Sequence, residues 1–561
     1  MPNINRRLFL SRIAQFIGGT TLLGACTNRS LQVSDKTSLV NSETLDTKVA
    51  AAFNEHVASG DPLSDRVILW TRLTPKPNGK NQDSVVLKDI VWQVAKDADF
   101  NTIINQGTTA TSLANDFCVK VDAVGLEPDT RYFYRFLYGT GISPIGRTKT
   151  LPISDAKEAR FAVVSCSNYG HGYFHIYNDI AAREDLDFVL HLGDYIYEYK
   201  DDVYTDPELV AGDRALFPKH ELLSLEDYRA RYQCYRSDKD LQAVHANHPF
   251  IVVWDDHELA NDAWIDGAEG HQENEGDWQQ RKVNAMRAFR EFMPIRDPEH
   301  GANSLQIYRQ FNIGNLASLI MLDTRLIGRD EQLNYRAENV TETTLENQQR
   351  NLLGSTQEDW LTAKLIESKN AGQPWQIIGQ QLLTGRVCMP DVSDLIAPVD
   401  QDQRDFQNQI IDIGKNNLPL NLDAWDGYNV AKQRLLNHYK KNANNVISLA
   451  GDTHNSWAFE LTPDDSDTPV AVEFATPSVS SPGMESWFPT SDHAQAAKRM
   501  VEKNRELIFH DNHQRGWLEL RLTKTLAESR FHYVDSVKSL DFEVLEGPRF
   551  SVLAGSNKIG Y

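Results

Sequence analysis

Six short runs of apolar residues, each four to seven long, constrain this chain more than any other feature: 161–165, 188–192, 250–254, 316–322, 375–378 and 446–450. Runs this short and this predominantly apolar are strands buried on both faces, and the helical stretches between them predict a layered α/β domain. Ser355-Thr-Gln-Glu358 is spaced as a capping box opening one helix, and Val283, Met286, Phe289 and Met293 form the apolar stripe of another. That stripe and Trp360, Leu361 and Leu365 on one side of the first helix are both expected in the core. The residues just past each run carry the chemistry, because ligand sites in α/β sheets lie outside the carboxyl ends of the strands. The exits read Ser165-Cys166-Ser167-Asn168, Gly193-Asp194-Tyr195-Ile196-Tyr197, Asp255-Asp256-His257-Glu258, Asp323-Thr324-Arg325, Gln380-Gln381 and Gly451-Asp452-Thr453-His454. One aspartate after a strand is an ordinary helix cap or turn residue. All six exits together point to a polynuclear metal site.

Residues 53–151 follow a different grammar, short alternating segments between turns, which is the pattern of a β-sandwich. Its clearest strand covers 131–138, with Tyr132, Tyr134, Phe136 and Tyr138 on one face, after the turn Leu126-Glu127-Pro128-Asp129. The segment resembles a fibronectin type III or immunoglobulin-like module, in which such tyrosines are core or corner residues. Ahead of it, Arg6-Arg7 with Phe9, an apolar stretch over 13–23 and Leu23-Gly24-Ala25-Cys26 resemble a twin-arginine signal ending in a lipoprotein box. The expected organisation is a signal over 1–26, a tether over 27–50, a sandwich over 51–151, an α/β catalytic domain over 155–535 and a terminal segment over 536–561. The product would be a monomer, periplasmic or at the cell surface, touching membrane only through a lipidated Cys26. A formal net charge of −21 opposes nucleic-acid and anionic-membrane binding, so an anionic substrate needs a local positive centre such as a metal. Five cysteines without C-x-x-C spacing do not make a disulfide scaffold.

Gly193-Asp-Tyr-Ile-Tyr-Glu198, Trp254-Asp-Asp-His-Glu258, Leu322-Asp-Thr-Arg325 and Gly451-Asp-Thr-His454 together resemble the calcineurin-like metallophosphoesterase superfamily, and within it the PhoD-type alkaline phosphatases. That resemblance implies a sandwich followed by a metallophosphoesterase domain that releases phosphate from monoesters, and from diesters as well. It places Asp194 as the carboxylate bridging two cations and Tyr197 as a tyrosinate ligand to iron. Cys166 stands where most of the superfamily has a carboxylate, and Asp256, with Asp255 before it, stands where the superfamily has a ligand asparagine. Asp452 and His454 replace the usual His-x-His. Gln380 and Gln381 sit near the place of the superfamily's middle histidine.

The implied cofactors are one Fe3+ and one or two Ca2+, ahead of Mg2+ or Zn2+, because thiolate and phenolate suit iron and carboxylate oxygens suit calcium. His257 would protonate the leaving group with Glu258 or Asp255 orienting it, and Arg325 would neutralise charge on the transferring group. A cysteine-phosphatase loop needs Arg six residues after Cys166, where Gly172 stands, and no G-x-S-x-G elbow is present. His171, His175, His191, His245 and His248 lack partner spacing and are expected as surface or core histidines. Two rival functions use the same residues: a phosphodiesterase or phospholipase of the same fold, and a lipid-anchored adhesion protein with closed, structural metal sites.

Overall fold

A computed structural model of the chain describes residues 51–75, 85–298, 305–335 and 340–560. The signal and tether expected over 1–50, with Cys26, lie outside the described residues.

All six apolar runs form strands, and they divide between two sheets. Among the described residues one sheet has ten strands and the other seven. The middle of the first is parallel, with Glu158–Val164 beside Phe188–His191 beside Pro249–Val252. The middle of the second is also parallel, in the order Ala317–Met321, Trp375–Gly379, Asn445–Ala450, Ala471–Ala475. With alternate residues turned to two buried faces, the runs read as predominantly apolar on both. Leu319, Met321, Ile377, Ile447 and Leu449 join Phe161, Val163 and Leu190 in one core between the sheets. Their neighbours Ile320, Leu322, Ile378 and Val446 pack with Leu361, Leu365, Leu435 and Leu436 of the helices Ser355–Asn370 and Asn429–Asn442. The result is two facing sheets with helices outside. The two carboxyl ends meet, and a bridge joins Ser165 to Ser478 there.

The sandwich is fused to this framework. Its outer sheet consists of Gly146–Lys149, Arg131–Tyr138, Val86–Ala95 and Ile103–Ser112, with Gly141–Ile142 beside Arg131–Tyr138. Its inner strands, Val57–Gly60, Arg66–Arg72 and Cys118–Val124, extend the ten-stranded sheet, because Val57–Gly60 pairs in parallel with Pro249–Val252. Gly60 permits the join: a Cβ there would lie 2.4 Å from the Pro294 carbonyl oxygen and 2.6 Å from that of Phe250. Tyr132, Tyr134, Phe136 and Tyr138 fill the sandwich core, and the Tyr132 hydroxyl accepts the Glu127 amide at 2.8 Å in a tyrosine corner. At the opposite edge the sheet is completed by Arg515–Thr523, Leu526–Val534, Val544–Leu553 and Ile559–Gly560.

Two local expectations are corrected. The helix Trp278–Phe292 turns Ala285, Met286 and Phe289 inward and leaves Val283 54% exposed, since Ala285 and Ala288 widen the apolar face on the other side. At Ser355 the cap is Gly354, and the Gln357 side chain bonds the backbone of Asp323 instead of serving the helix end. The described cysteines Cys118, Cys166, Cys234 and Cys388 are free thiols. No helix among the described residues is long and apolar enough to cross a membrane.

Candidate metal centre

The strand exits converge at the carboxyl ends of the two sheets, and the chain adopts uncommon backbone geometry to aim them. Cys166, Asp194, Asp452 and His454 all have left-handed backbones, with φ of 62°, 54°, 57° and 62°. Such conformations cost a non-glycine residue free energy and cluster where function requires a turn that packing alone would not choose. Gly193, at φ 106°, supplies the space: a Cβ there would lie 2.4 Å from the Asp255 Cβ. Glu258, fully buried, ties the two loops together by accepting the backbone amides of Asp194 at 3.0 Å, Tyr195 at 2.5 Å and Asp255 at 2.7 Å.

Three groups of donor atoms result, each within 4.8 Å: Cys166, Asp194 and His454; Asp194, Asp256 and His257; and Asp255, Asp256 and Asp452. Asp194 and Asp256 each belong to two groups, so the three form a chain. Tyr197 joins the first, its hydroxyl donating to Asp194 Oδ2 at 3.1 Å and lying 3.3 Å from His454 Nε2. His454 Nδ1 lies 2.8 Å from the Pro482 carbonyl oxygen, which fixes it as the N–H and leaves Nε2 facing Asp194 and Tyr197 as a lone pair. His257 Nδ1 donates to Glu198 Oε2 at 2.8 Å, and Glu198 Oε1 accepts the Asn261 amide at 2.8 Å.

Arg325 is the positive charge among these acids. It is fully buried, and its guanidinium reaches Asp255 at 2.5 Å, Asp423 at 2.8 Å, Asp452 at 3.2 Å and Asp256 at 3.4 Å. One arginine does not balance the cluster. Burial pushes the Asp255 carboxyl well above the usual carboxylate range and that of Asp452 up to about 7, against the opposing pull of Arg325. Burial, with Asp194 beside it, likewise holds the Cys166 thiol high. Burial alone would lower His257, but Asp256, Glu198 and Asp194 outweigh it and hold the imidazole well above its usual range. Asp255 Oδ2 is buried and makes no hydrogen bond among the described residues. A buried carboxylate oxygen without a donor, in a cluster with excess negative charge, is the environment a cation relieves. The donor set fits metal ions: thiol, phenol and imidazole at one end, carboxylates at the other.

The family model for the PhoD-like phosphatase matches residues 161–531, and the model for its N-terminal domain matches residues 40–152. This chain belongs to the PhoD-like phosphatase family. Alkaline phosphatase D of Bacillus subtilis strain 168 is 36% identical over 482 residues, which cover 84% of this chain and 76% of that protein. A solved structure of PhoD superposes with a TM-score of 0.75 at 32% identity, covering 91% of each chain. Membership makes the protein a phosphoester hydrolase acting on small-molecule phosphoesters, built as the α/β fold with a preceding N-terminal module.

In this PhoD-like phosphatase the structure brings Cys166, Asp194, Tyr197, Asp255, Asp256, His257, Arg325, Asp452 and His454 into one cluster. The partner of His257 is Glu198 rather than Glu258 or Asp255, because Glu258 is occupied by three backbone amides and Asp255 by Arg325. Gln380 and Gln381 stand beneath the site as packing polar groups: Gln380 bonds Thr384, Ser448 and Trp425, and Gln381 holds Thr324 and the Leu322 carbonyl. Three contributors carry no strand-exit signal. Asp423 chelates Arg325, Asn261 braces Glu198, and Ser481 places its Oγ 2.7 Å from Tyr197 Oη and 3.0 Å from the Cys166 carbonyl oxygen. Glu198 had a signal, standing four residues after Asp194 in the same exit. His191 and His245 are buried and bonded to Tyr177 and Tyr195. His175 and His248 bond the carbonyls of Ser539 and Ile180.

Proposed function

We propose that this chain is an exported, metal-dependent phosphatase that releases inorganic phosphate from phosphate monoesters and also accepts diesters. One Fe3+ would bind among Cys166, Asp194, Tyr197 and His454, and one or two Ca2+ among Asp194, Asp255, Asp256 and Asp452. The observation that carries this reading is the chain of three donor groups linked through Asp194 and Asp256, with the paired His257 alongside. Bound cations supply Lewis acidity toward phosphoryl oxygens and make water a stronger acid. The side chains do the rest. By accepting the Nδ1–H, Glu198 stabilises the imidazolium of His257, whose Nε2–H is the proton given to the leaving alkoxide, leaving the ring neutral with its proton on Nδ1. Arg325 is a positioning residue: with its donors spent on carboxylates, it holds Asp255 and Asp452 at the spacing the cations need. A proton donor beside the donor groups favours catalysis over the adhesion alternative, because a closed structural site has no use for one.

The test is elemental analysis of the purified protein together with aryl monoester and diester hydrolysis, with and without added Ca2+. Iron with calcium-dependent turnover is expected, and the two rates rank the ester classes. Metal without turnover would move the protein to the adhesion class, and absence of metal would remove the site as read. Cys166→Ser should lose iron while keeping calcium, so an unchanged iron content in that variant refutes the thiolate ligand. His257→Gln should lower kcat by about 10²–10⁴-fold for an alkyl phosphate and far less for a nitrophenyl phosphate, whose leaving group needs no proton. Equal losses on both would remove the general-acid role.

The division at 51–151, 155–535 and 536–561, the twin-arginine route and the Cys26 anchor belong to the same proposal, supported by Arg6-Arg7 and Leu23-Gly-Ala-Cys26. Cys26→Ser should move the monomeric protein from the membrane fraction to the soluble one on cell fractionation. Retention in the membrane would sink the anchor.

A further inference from the structure

Aromatic rings bank up on one side of the two imidazoles. The Tyr199 ring lies 5.2 Å from His257 at 59°, and Tyr204 meets Tyr199 edge-on at 6.0 Å and 74°. Tyr204 also lies 5.7 Å from Tyr197 and runs nearly parallel to His454, 6.1 Å away. Whereas His257 and Tyr197 are buried at 3% and 2% exposure, Tyr199 and Tyr204 are half-buried, and His171 lies 6.4 Å from the Tyr204 ring at 25°. Both rings are anchored at their far ends. The Tyr199 hydroxyl donates to Asn261 Oδ1 at 3.0 Å, and the Tyr204 hydroxyl lies 3.0 Å from His454 Nδ1 and 3.3 Å from the Pro482 carbonyl oxygen. Tyr204 is held from its backbone too: its carbonyl accepts Asn168 Nδ2 at 2.6 Å, and its φ of 56° is unusual for so bulky a residue. Half-buried rings tied at backbone and hydroxyl are preorganised stacking surfaces rather than core filler.

We propose that Tyr199 and Tyr204 form a stacking wall for a planar aromatic group on the leaving alcohol. Phosphoesters of ring-bearing alcohols, nucleosides among them, are then the preferred substrate class. The placement derives from the proposed role of His257, on which this inference rests: the alcohol that takes its proton departs past the rings packed on that imidazole, Tyr197 at 4.4 Å and Tyr199 at 5.2 Å, and of these Tyr197 is buried whereas Tyr199 is half-buried. A base or aryl ring is neutral, so the negative charge of the chain does not oppose it, and the carboxylates and their cations are left to the phosphoryl group.

The experiment compares adenosine 5′-phosphate with ribose 5-phosphate on the metal-loaded protein, since the two share the scissile bond and the primary alcohol and differ only in the base. We expect kcat/KM to favour the nucleotide by about tenfold or more, in keeping with a base stacked on an aromatic ring. Tyr199→Leu and Tyr204→Leu should bring that ratio to near one, while Tyr199→Phe, which keeps the ring, retains it. A ratio near one in the unsubstituted protein, or an unchanged ratio in both leucine variants, overturns the wall and leaves the phosphatase reading standing. Adenosine binding by calorimetry separates the two failures. If neither ester is hydrolysed yet adenosine binds and Tyr199→Leu abolishes that binding, the wall stands and the catalytic reading falls. If adenosine also fails to bind, both fall.

Discussion

Asp194→Asn should reduce hydrolysis on the order of a thousandfold or more and strip metal from both ends of the site, because Asp194 alone links the sulfur-bearing group to the carboxylate groups. The substitution is a clean one. Asparagine tolerates a φ of 54° as readily as aspartate, so the turn after Gly193 survives, and the side chain keeps its shape while losing its charge. What disappears is the anionic oxygen pair that two cations can share. One of those oxygens accepts the Tyr197 hydroxyl at 3.1 Å and the other faces the His257 amide at 3.4 Å, so Tyr197 and His257 also lose their common reference. The measurement is kcat on an aryl phosphate alongside metal stoichiometry, with circular dichroism to verify the fold. A variant with native turnover would remove the bridging role.

Arg325→Met should cost about 3–5 kcal/mol of stability, the penalty for leaving buried charges uncompensated. The guanidinium is fully buried and serves Asp255, Asp423 and Asp452 at 3.2 Å or less, so nothing from solvent can replace it. Asp423 retains Arg329, which confines the damage to Asp255 and Asp452. Because the proposed cations would neutralise those same two carboxylates, added Ca2+ should restore part of the lost stability in the variant and do less for the unsubstituted protein. The urea midpoint of each, with and without Ca2+, reads this directly. A variant as stable as its parent in chelator would mean these carboxylates are protonated and need no counter-charge.

The strand exits made the site legible. Asp194, Asp255, Asp256 and Asp452 stand one or two residues past apolar runs, so local sequence predicts both the strand and the group at its end. Partnership across the fold was another matter. Glu198 meets His257 over 59 residues and Asp423 meets Arg325 over 98, and nothing near either acid marks what lies opposite. Arg325 reads as a phosphate-binding arginine beside Asp323-Thr324, and only the packed structure shows four acids around it. The strands of the sandwich were readable from alternation, yet alternation says which side chains share a face and nothing about which strand lies alongside. That is why Val57–Gly60 pairing with Pro249–Val252 could not be foreseen, nor the division of six similar runs between two sheets.

The ten-stranded sheet has a consequence for how the chain comes to be folded. Its parallel centre, drawn from 158–252, is flanked on one side by strands from 57–124 and on the other by strands from 515–560. Glu158 pairs with Thr523, 365 positions further along. A ribosome that has delivered the first 300 residues has therefore produced Asp194, Asp255 and Asp256 without the strand that pairs with Glu158–Val164, and contacts of such long sequence separation form slowly. Until residue 523 emerges, Glu158–Val164 is an open edge able to recruit a neighbouring chain. Truncation into 57–124 or into 515–560 should behave in the same way, exposing an inner strand that the intact protein keeps paired, so aggregation rather than a smaller working enzyme is the outcome to expect from trimming these segments.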